Sequence, residues 1–387
     1  MAPRRFVAAR TEVFSESVIR EMTRLALEHG AINLAQGFPD FPAPDFVKRA
    51  AIEAIEADVN QYAITWGDPR LRRAIAEKVR RHYGLEVDPE REVTVTCGAT
   101  EAMMATMLAF VEPGDEVIVF EPYYENYVPD AAMSGATLRF VTLHGLDFTF
   151  DPDELRAAFG AKTKAIIVNS PNNPSGKVFD GAELAQIAAL CQEFDCLCFT
   201  DEIYEHIVFD HYEHVPMATL PGMYERTVCI SGLSKTFSIT GWRLGYVVAP
   251  PPLSEAVRKV HDFLTVGAPA PLQQAAAVAI EQGEAYYPEL RTMYAAKRDR
   301  LLVSLREAGF TCHRPAGAYY VMADFQDFGF DGDDTAFALR MIERAGVAPV
   351  PGSSFYDDAD AGSRFVRFTF SKSDATLAEA SRRLLAM

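Results

Sequence analysis

The stretch GLSKTFSITGWRLGY, residues 232–246, places two cations in an otherwise neutral run of small and apolar residues. Lys235 stands in a Gly/Ser/Thr-rich turn, and Arg243 comes eight residues later. A surface segment of this length usually carries more charge, and a core segment carries none, because charged side chains are rarely buried without a partner. The two cations therefore indicate a pocket that binds an anion and also uses an amine.

Chemical groups follow five predicted strands, at the point where each strand ends. The strand over 92–96 runs into the small-residue turn 97–100, whose backbone N–H groups form an anion site where a helix begins. The next four strands are followed in turn by the aromatic ring of Tyr124, the amide of Asn173, the carboxylate of Asp201 with the phenol of Tyr204, and the amine of Lys235. Ligands bind beyond the carboxyl ends of the strands in an open parallel sheet, so we expect these groups to converge. The ligand that they imply is a planar aromatic cation with a phosphate tail and an aldehyde.

Alternating strand and helix patterns through the middle of the chain supply the framework for these groups. Helical spacing is present over 100–110 and 182–194. Apolar runs of strand length lie over 92–96, 115–120, 164–169, 196–200, 227–231 and 245–249. Such runs, separated by helices, are typical of a parallel sheet that is covered on both faces.

The two ends of the chain have a different pattern. One helical pattern lies within 17–30, and a long amphipathic helix over 286–310 is followed by mixed strands and helices. We therefore predict an α/β fold in which a large domain over 46–280 holds the ligand on a mainly parallel sheet sandwiched by helices. Residues 1–45 and 281–387 are predicted to form a smaller α+β domain.

Composition argues against several classes of function. The chain has 387 residues, enough for two domains, and its net charge of −17 argues against a nucleic-acid binder and against docking on anionic membranes. We recognise no signal peptide and no apolar run of the roughly 18 residues that a membrane helix needs, so we expect a cytoplasmic protein. The six cysteines form no CxxC pair and have no histidine pair nearby, so no metal site is expected. No dinucleotide-binding or nucleophile-elbow glycine motif is present.

The ordered motifs of this chain resemble those of the class I/II aminotransferases, which are pyridoxal 5'-phosphate-dependent enzymes of fold type I. The resemblance runs from about residue 12 to the C-terminus. Its most specific parts are SPNNPSG, TDEIY, SKTFSITGWRLGY and RFTFSK, in that order and spacing. The segments NLAQGFPDFPAPDF and NQYAITWG look like the branch that holds kynurenine, glutamine and methionine aminotransferases and the related cysteine-conjugate β-lyases.

The resemblance implies which residues hold the cofactor. Lys235 would form the Schiff base with the cofactor aldehyde and move a proton between the substrate Cα and the C4′ carbon, and Arg243 would bind the phosphate. Tyr124 would stack on the face of the cofactor ring, Asp201 would pair with its pyridine nitrogen, and Asn173 and Tyr204 would hydrogen-bond its ring oxygen. The phosphate would also be bound by Gly98, Ala99, Thr100 and Ser234. Many relatives have serine where this chain has Gly232, which leaves Ser231 and Ser234 as alternatives at the phosphate.

The resemblance also implies a substrate site. Arg367, in RFVRFTFSK, would bind the substrate α-carboxylate through a bidentate pair of hydrogen bonds from its guanidinium. The backbone N–H of Gly37 and the side chain of Asn173 would assist. Ile19 and Tyr319 are expected to line the side-chain pocket. Arg364 stands close by in the same strand pattern and is given no role.

The function implied is that of a homodimeric aminotransferase. Tyr62 resembles the tyrosine that reaches the cofactor phosphate of the partner subunit, so the two active sites would be shared. A neutral, apolar or aromatic amino acid would give up its amino group, and a 2-oxo acid would then take it up, in a ping-pong mechanism. The alternative is a cysteine-conjugate β-lyase, or another α,β-eliminating enzyme on the same fold, because the cofactor site looks the same for both. A ligand-sensing regulator is disfavoured, because about 12 residues ahead of the resemblance cannot hold a DNA-binding module.

Overall fold

The computed structural model describes residues 6–14 and 16–387. Residues 1–5 and 15, which belong to the predicted small domain, lie outside the described residues. In the described part of the chain the helices are α1 (Val18–Glu28), α2 (Asp45–Glu56), α3 (Pro69–Tyr83), α4 (Ala99–Phe110), α5 (Tyr127–Ser134), α6 (Pro152–Ala158), α7 (Gly181–Glu193), α8 (Pro251–Thr265), α9 (Ala270–Glu281), α10 (Gly283–Glu307), α11 (Asp334–Arg340), α12 (Ala359–Gly362) and α13 (Asp374–Leu384). The strands are β1 (Ile32–Asn33), β2 (Val93–Thr96), β3 (Glu116–Glu121), β4 (Thr137–His144), β5 (Thr149–Phe150), β6 (Thr163–Asn169), β7 (Leu197–Asp201), β8 (Thr227–Gly232), β9 (Gly245–Val248), β10 (Thr311–Cys312), β11 (Tyr320–Asp324), β12 (Val347–Ala348), β13 (Val350–Pro351) and β14 (Phe365–Thr369).

A large mixed sheet forms the centre of the fold. Its strand order is β2-β9-β8-β7-β6-β3-β4-β5, and the neighbouring strands from β8 through β7, β6 and β3 to β4 are parallel. The predicted α/β fold with a mainly parallel sheet is therefore confirmed. The carboxyl ends of β6, β7 and β8 lie side by side, which brings the segments that follow them to one edge of the sheet.

Strand β9 differs from the parallel expectation, because it runs antiparallel to both β8 and β2. A parallel neighbour would need a long crossover, usually through a helix. The connection over 233–244 contains no α-helix, and its ends are joined by the Leu233 N–H, which donates to the Leu244 carbonyl at 3.2 Å. The chain therefore turns back on itself directly, and this turn carries Lys235 and Arg243.

Both faces of the sheet are covered by helices, as alternation along the buried strands requires. On one face Val119 and Ile167 pack with Met103 of α4. On the other face Ile118 and Ile166 belong to the cluster that contains α7. Helix α7 is fixed at its start by a reciprocal cap, in which the Asp180 side chain accepts the Glu183 N–H while the Glu183 side chain accepts the Asp180 N–H.

A second, antiparallel sheet is built from the C-terminal part of the chain. Its order is β10-β11-β14-β13, and Tyr320 pairs with Thr369 while Met322 pairs with Arg367. The short parallel pair of β1 with β12 joins the N-terminal segment to the same region. The N-terminal and C-terminal segments thus contact each other, and the domain boundaries at 46 and 280 stay a prediction. Among the described residues, none of the helices has both the length and the apolar character that a membrane crossing requires.

Candidate active site

A cavity of about 490 Å³ lies at the carboxyl edge of the large sheet, between this sheet and the N-terminal and C-terminal segments. Twelve of the residues singled out from the sequence line it: Ile19, Gly37, Ala99, Thr100, Tyr124, Asn173, Asp201, Tyr204, Ser234, Lys235, Arg243 and Arg367. They come from separate elements, and the sheet topology brings them together because each follows the end of a strand or faces that edge. The predicted convergence of the amine, carboxylate, phenol and anion cradle is thus seen in the structure.

Lys235 lies in the turn after β8, and its side chain points into the cavity. The Lys235 Nζ donates a hydrogen bond to the Gly37 carbonyl at 3.2 Å. Burial lowers the pKa of Lys235 to about 8; the nearby Asp201 charge opposes this shift, while Arg243 and Arg367 add to it. A substantial fraction of this amine is therefore neutral near physiological pH, as a nucleophile or general base must be.

Asp201 ends β7 and is almost fully buried. The Tyr127 hydroxyl donates to its Oδ2 at 2.9 Å, and the Ile203 N–H donates to its Oδ1 at 3.3 Å. Burial raises the pKa of Asp201, while these hydrogen bonds and the Lys235 charge counteract the rise. The Asn169 amide holds the Asp201 carbonyl at 2.9 Å and accepts the Asn173 N–H at 2.8 Å, so one side chain aligns two candidate site residues.

The turn before α4 forms an anion cradle. Gly98 has a φ of 89°, and a Cβ at this position would lie 2.5 Å from Nη2 of Arg243, so glycine lets the guanidinium approach the start of the helix. Arg243 itself has a φ of 55°, and its Nη1 donates to the Thr240 carbonyl at 3.0 Å. A helix start with an arginine across it is a site for a phosphate group.

The two serines left open at the phosphate are separated by the structure. Ser231 lies within β8 and is buried, and its hydroxyl donates to Glu205 Oε1 at 2.7 Å. Ser234 lines the cavity. Of these two serines, Ser234 is therefore the one that is open to the cavity.

Arg367 is a fully buried cation that also lines the cavity. Its Nη1 donates to Asn173 Oδ1 at 2.9 Å, and its Nη2 donates to the Ala35 carbonyl at 2.6 Å. The Nε has no hydrogen-bond partner in the described part of the chain. A buried guanidinium without a carboxylate partner is costly, so the geometry suits an anionic ligand. Arg364, by contrast, is occupied by an ion pair with Asp324.

Three residues singled out from the sequence do not line the cavity. Gly98 is next to Arg243, so close that a Cβ at position 98 would overlap the guanidinium. Tyr62 is 88% exposed. Tyr319 is buried, and its hydroxyl donates to the Gly37 carbonyl at 2.7 Å. Tyr320, the first residue of β11, lines the cavity, and its hydroxyl lies 3.2 Å from that of Tyr204.

Several residues at the cavity wall have no counterpart among the sequence predictions, and four of them bear on the chemistry of the site. Tyr127 supports Asp201, and Asn169 supports Asn173, as described above. Arg20 and Asp130 also line the cavity. A signal was available for Arg20, which is next to Ile19 in the sequence, whereas Asp130 lies within α5 and looks like any surface aspartate in the sequence alone.

An aromatic, phosphorylated aldehyde fits the groups that are present. The cradle is suited to the phosphate, and the partly neutral amine of Lys235 lies near the buried carboxylate of Asp201. The Arg367 Nε, which has no hydrogen-bond partner among the described residues, can bind a second anion. No cluster of three metal-ligating side chains is found within 6–14 and 16–387. This set of an amine, a carboxylate and an anion cradle at the edge of an α/β sheet defines a pyridoxal phosphate enzyme of fold type I.

The chain belongs to the family described as aminotransferase class I and II, whose sequence profile matches residues 29–384. A probable N-succinyldiaminopimelate aminotransferase, DapC, from Mycobacterium tuberculosis is 44% identical over 386 residues, which cover 97% of each chain. The methionine aminotransferase of Escherichia coli is 36% identical, covering 95% of each chain. The human kynurenine–oxoglutarate transaminase 1 is also 36% identical, covering 94% of each chain.

Solved structures agree with the sequence comparison. That of N-succinyldiaminopimelate aminotransferase from Mycobacterium tuberculosis has a TM-score of 0.96 at 45% identity, covering 98% of this chain and 99% of that one. That of YbdL from Escherichia coli, described as having a methionine aminotransferase function, has a TM-score of 0.95 at 35% identity, covering 99% and 100%. The present chain is therefore an aminotransferase of fold type I that uses pyridoxal phosphate and acts on amino acids and 2-oxo acids.

Proposed function

We propose that this aminotransferase moves the amino group of a neutral, apolar or aromatic L-amino acid to a 2-oxo acid by a ping-pong mechanism. The observation that carries the proposal is the cavity itself. The buried Arg367 lines it, and the apolar and aromatic side chains of Ile19, Met103, Tyr124 and Tyr320 are among its other lining residues. An α-carboxylate at Arg367 would leave the amino acid's side chain among these apolar surfaces.

The residues that would hold the cofactor are the ones assigned from the sequence. The Ala99 and Thr100 backbone, Ser234 and Arg243 would bind its phosphate, Asp201 its ring nitrogen, and Asn173 and Tyr204 its ring oxygen. When bound, pyridoxal phosphate supplies an aldehyde for the amino group and a ring that accepts electrons. The ionised Asp201 would keep the ring nitrogen protonated, which strengthens that electron acceptance.

Lys235 would serve as the general base. Because its pKa is lowered to about 8, a useful share of the amine is neutral and accepts the proton that leaves the substrate Cα. Arg367 would fix the α-carboxylate, and the hydrogen bond from its Nη1 to Asn173 ties the substrate end to the cofactor end. The Gly37 N–H would assist at the same carboxylate. A Cβ at Gly37 would overlap the Tyr320 hydroxyl, so no larger residue fits there.

We propose a homodimer with shared active sites as the working form. Large apolar side chains are exposed near the cradle: Tyr62, Ile64, Phe263, Leu264 and Val266. The loop that carries Tyr62 and the end of α8 are joined by a 2.8 Å hydrogen bond between His261 Nε2 and the Thr65 carbonyl, so these side chains belong to one region. A second subunit would cover this apolar region and bring its own Tyr62 to the phosphate. The cytoplasmic location stays a prediction.

A second candidate donor is an amino acid with a distal carboxylate. Arg20 lines the cavity, and its guanidinium has no ion-pair partner within 6–14 and 16–387. The 44% identity to a probable N-succinyldiaminopimelate aminotransferase supports the same candidate, because N-succinyldiaminopimelate carries carboxylates far from its reacting end. The first candidate rests on the apolar lining residues, and the second rests on Arg20 and on this similarity.

A visible absorbance titration separates the candidates. The purified protein is mixed with single amino acids, and bleaching of the band of covalently bound cofactor, with its return on adding a 2-oxo acid, measures transamination. Methionine, phenylalanine, leucine and glutamine test the first candidate; glutamate and N-succinyl-diaminopimelate test the second. Arg20→Gln is compared with Arg24→Gln, a change on the same helix at an exposed residue that pairs with Glu28. Selective loss of acidic donors in Arg20→Gln alone would establish the second candidate, and equal donor profiles would remove it.

The β-lyase alternative is tested in the same preparation. A cysteine conjugate is supplied without any 2-oxo acid, and pyruvate and ammonia are measured. A transaminase releases its first product only up to the amount of enzyme-bound cofactor, because no acceptor regenerates the enzyme. Sustained formation of pyruvate over many turnovers would replace the proposed transamination by elimination.

A further inference from the structure

A buried ionic pair lies directly behind the anion cradle. Nδ1 of His261, in α8, is 2.6 Å from Oε1 of Glu101, in the first turn of α4. The His261 side chain is fully buried, and that of Glu101 is 9% exposed. Neither residue lines the cavity, so the pair has no direct contact with substrate or cofactor.

Glu101 holds the cradle from behind. Its second oxygen, Oε2, accepts the Cys97 N–H at 2.6 Å, and Cys97 is the residue just before Gly98. The carboxylate therefore bridges the turn over 97–101 and fixes the direction in which the N–H groups of Ala99 and Thr100 point. A third contact comes from the Thr265 hydroxyl, which donates to Oε1 at 3.2 Å.

His261 holds a different segment with its other nitrogen. Its Nε2 lies 2.8 Å from the Thr65 carbonyl, and since a carbonyl only accepts, this nitrogen carries a proton. Nδ1 faces a carboxylate, which favours a proton there as well. Burial by itself lowers the pKa of His261, but the hydrogen bond and charge of Glu101 and the Thr65 carbonyl outweigh it and raise the pKa. The imidazolium thus joins the cradle to the loop 60–67, which carries Tyr62.

The same histidine stands in the helix whose end carries the exposed apolar residues. Phe263, two residues after His261, is 90% exposed, and the proposed subunit contact lies here. Three parts of the proposed active site meet at this pair: the phosphate cradle, the loop that would reach the other subunit, and the helix end that would contact it. A rigid connection among them transmits a shift in one to the others.

We propose that His261 and Glu101 are positioning residues that couple cofactor binding to subunit association, by fixing the anion cradle and the Tyr62 loop to each other. The inference rests on the proposed function, since it takes the cradle as the phosphate site and the Tyr62 loop as a subunit contact. It goes further in predicting that the cofactor tightens the dimer and that the dimer tightens cofactor binding. Linkage makes this effect reciprocal.

The test uses the full chain with its cofactor removed and added back. Glu101→Gln keeps the size of the side chain but removes the charge, and the amide has one acceptor oxygen where the carboxylate had two. The dissociation constant of pyridoxal phosphate is measured by absorbance titration, and the dimer dissociation constant by sedimentation with and without cofactor. In wild type we expect the cofactor to tighten the dimer about tenfold, within the usual range of coupling between two sites. In Glu101→Gln and His261→Gln we expect the cofactor to bind about tenfold more weakly and to tighten the dimer less than it does in wild type.

The double variant distinguishes positioning from a general loss of stability. If the pair acts as one unit, Glu101→Gln with His261→Gln together should weaken cofactor binding no more than either change alone. Glu101→Asp provides a milder variant that retains the charge, for use if the others fold poorly. Its shorter side chain cannot reach both the Cys97 N–H and His261, so it should show the same reduction of coupling.

A matched control is available elsewhere in the chain. His144 Nε2 and Glu154 Oε2 are also 2.6 Å apart, but both side chains are half exposed and lie away from the cavity. His144→Gln should leave both dissociation constants unchanged. Wild-type cofactor affinity and coupling retained in Glu101→Gln, His261→Gln and Glu101→Asp would overturn the inference. A wild-type protein that fails to bind pyridoxal phosphate at all would instead overturn the proposed function on which it rests.

Discussion

Arg367 and Asn173, which are 194 residues apart in the chain, are joined by a hydrogen bond of 2.9 Å from Nη1 to Oδ1. Arg367 comes from the antiparallel sheet, and Asn173 follows a strand of the large sheet. The bond thus crosses from one sheet to the other and links the proposed carboxylate site with the proposed site for the cofactor ring. It also fixes the guanidinium in place ahead of the substrate, which reduces the entropy lost on binding.

Replacing Arg367 by Gln should impair every amino-acid substrate to a similar degree. The change removes a charge-assisted pair with the α-carboxylate, which all the donors share, at a cost on the order of 2–5 kcal/mol in kcat/KM. Steady-state kinetics with several donors measures it, with Arg364→Gln as the control because Arg364 pairs with Asp324. Loss confined to one class of side chain would show that Arg367 recognises side chains and not the α-carboxylate.

Replacing Lys235 by Ala should abolish covalent attachment of the cofactor. The amine is the one that lies in the cavity with a pKa lowered to about 8, whereas Lys372 is held by the carbonyls of Gln36 and Phe38. Borohydride reduction followed by mass spectrometry measures the attachment. Lys297→Ala, a change at a buried lysine that donates to the Lys372 carbonyl, should keep it. Cofactor trapped at full stoichiometry in Lys235→Ala would assign the attachment to another residue.

Replacing Phe263 by Asp should weaken the dimer. The side chain is 90% exposed beside the Tyr62 loop, and a charge placed in an apolar contact would have to be desolvated without a partner. Analytical ultracentrifugation should show a larger monomer fraction at equal protein concentration. Leu27→Asp makes the same kind of change at a residue of α1 that is 79% exposed. A Phe263→Asp protein that sediments like the Leu27→Asp protein would place the subunit contact elsewhere.

Replacing Asp130 by Asn should remove a pH dependence of stability. Burial, together with the Asp201 charge, raises the pKa of Asp130 to about 8, from an ordinary value of 3.8, and its Oδ2 has no hydrogen-bond partner among the described residues. The folded protein keeps this proton to a higher pH than the unfolded chain does. The free energy of unfolding therefore falls as the pH rises from about 4 to about 8, by at most about 1.4 kcal/mol per pH unit from this group.

Urea denaturation at pH 5 and pH 8 measures this dependence. We compare the free energy of unfolding of Asp130→Asn with that of wild type at each pH. The difference in favour of Asp130→Asn should be larger at pH 8 than at pH 5, because the amide never has to ionise in the buried site. Glu53→Gln, at an exposed position of α2, should show no such difference between the two pH values. If wild type and Asp130→Asn change in parallel between the two pH values, Asp130 is already ionised in the folded protein.

Local sequence patterns were sufficient to predict several of the strands and helices that position the active site. The apolar run over 164–169 became β6 (Thr163–Asn169), and the helical spacing over 182–194 became α7 (Gly181–Glu193). Burial on both faces requires a continuous apolar run, and such a run can be read from sequence. No helix is predicted over α2, α3 or α9; α9 packs against both α2 and α3, and such contacts between distant segments lie outside any local window.

The sequence by itself determined the chemical types at the site and the strand ends at which they stand, because the amine, carboxylate and cradle each follow a short, strongly patterned segment. The tertiary structure decided which neighbours face the cavity. It placed Tyr320 at the wall and Tyr319 behind it, and it joined Glu101 to His261 across 160 residues. Such choices depend on side-chain direction and on contacts between distant segments. Both are fixed when the sheets and helices pack, and no local spacing encodes them.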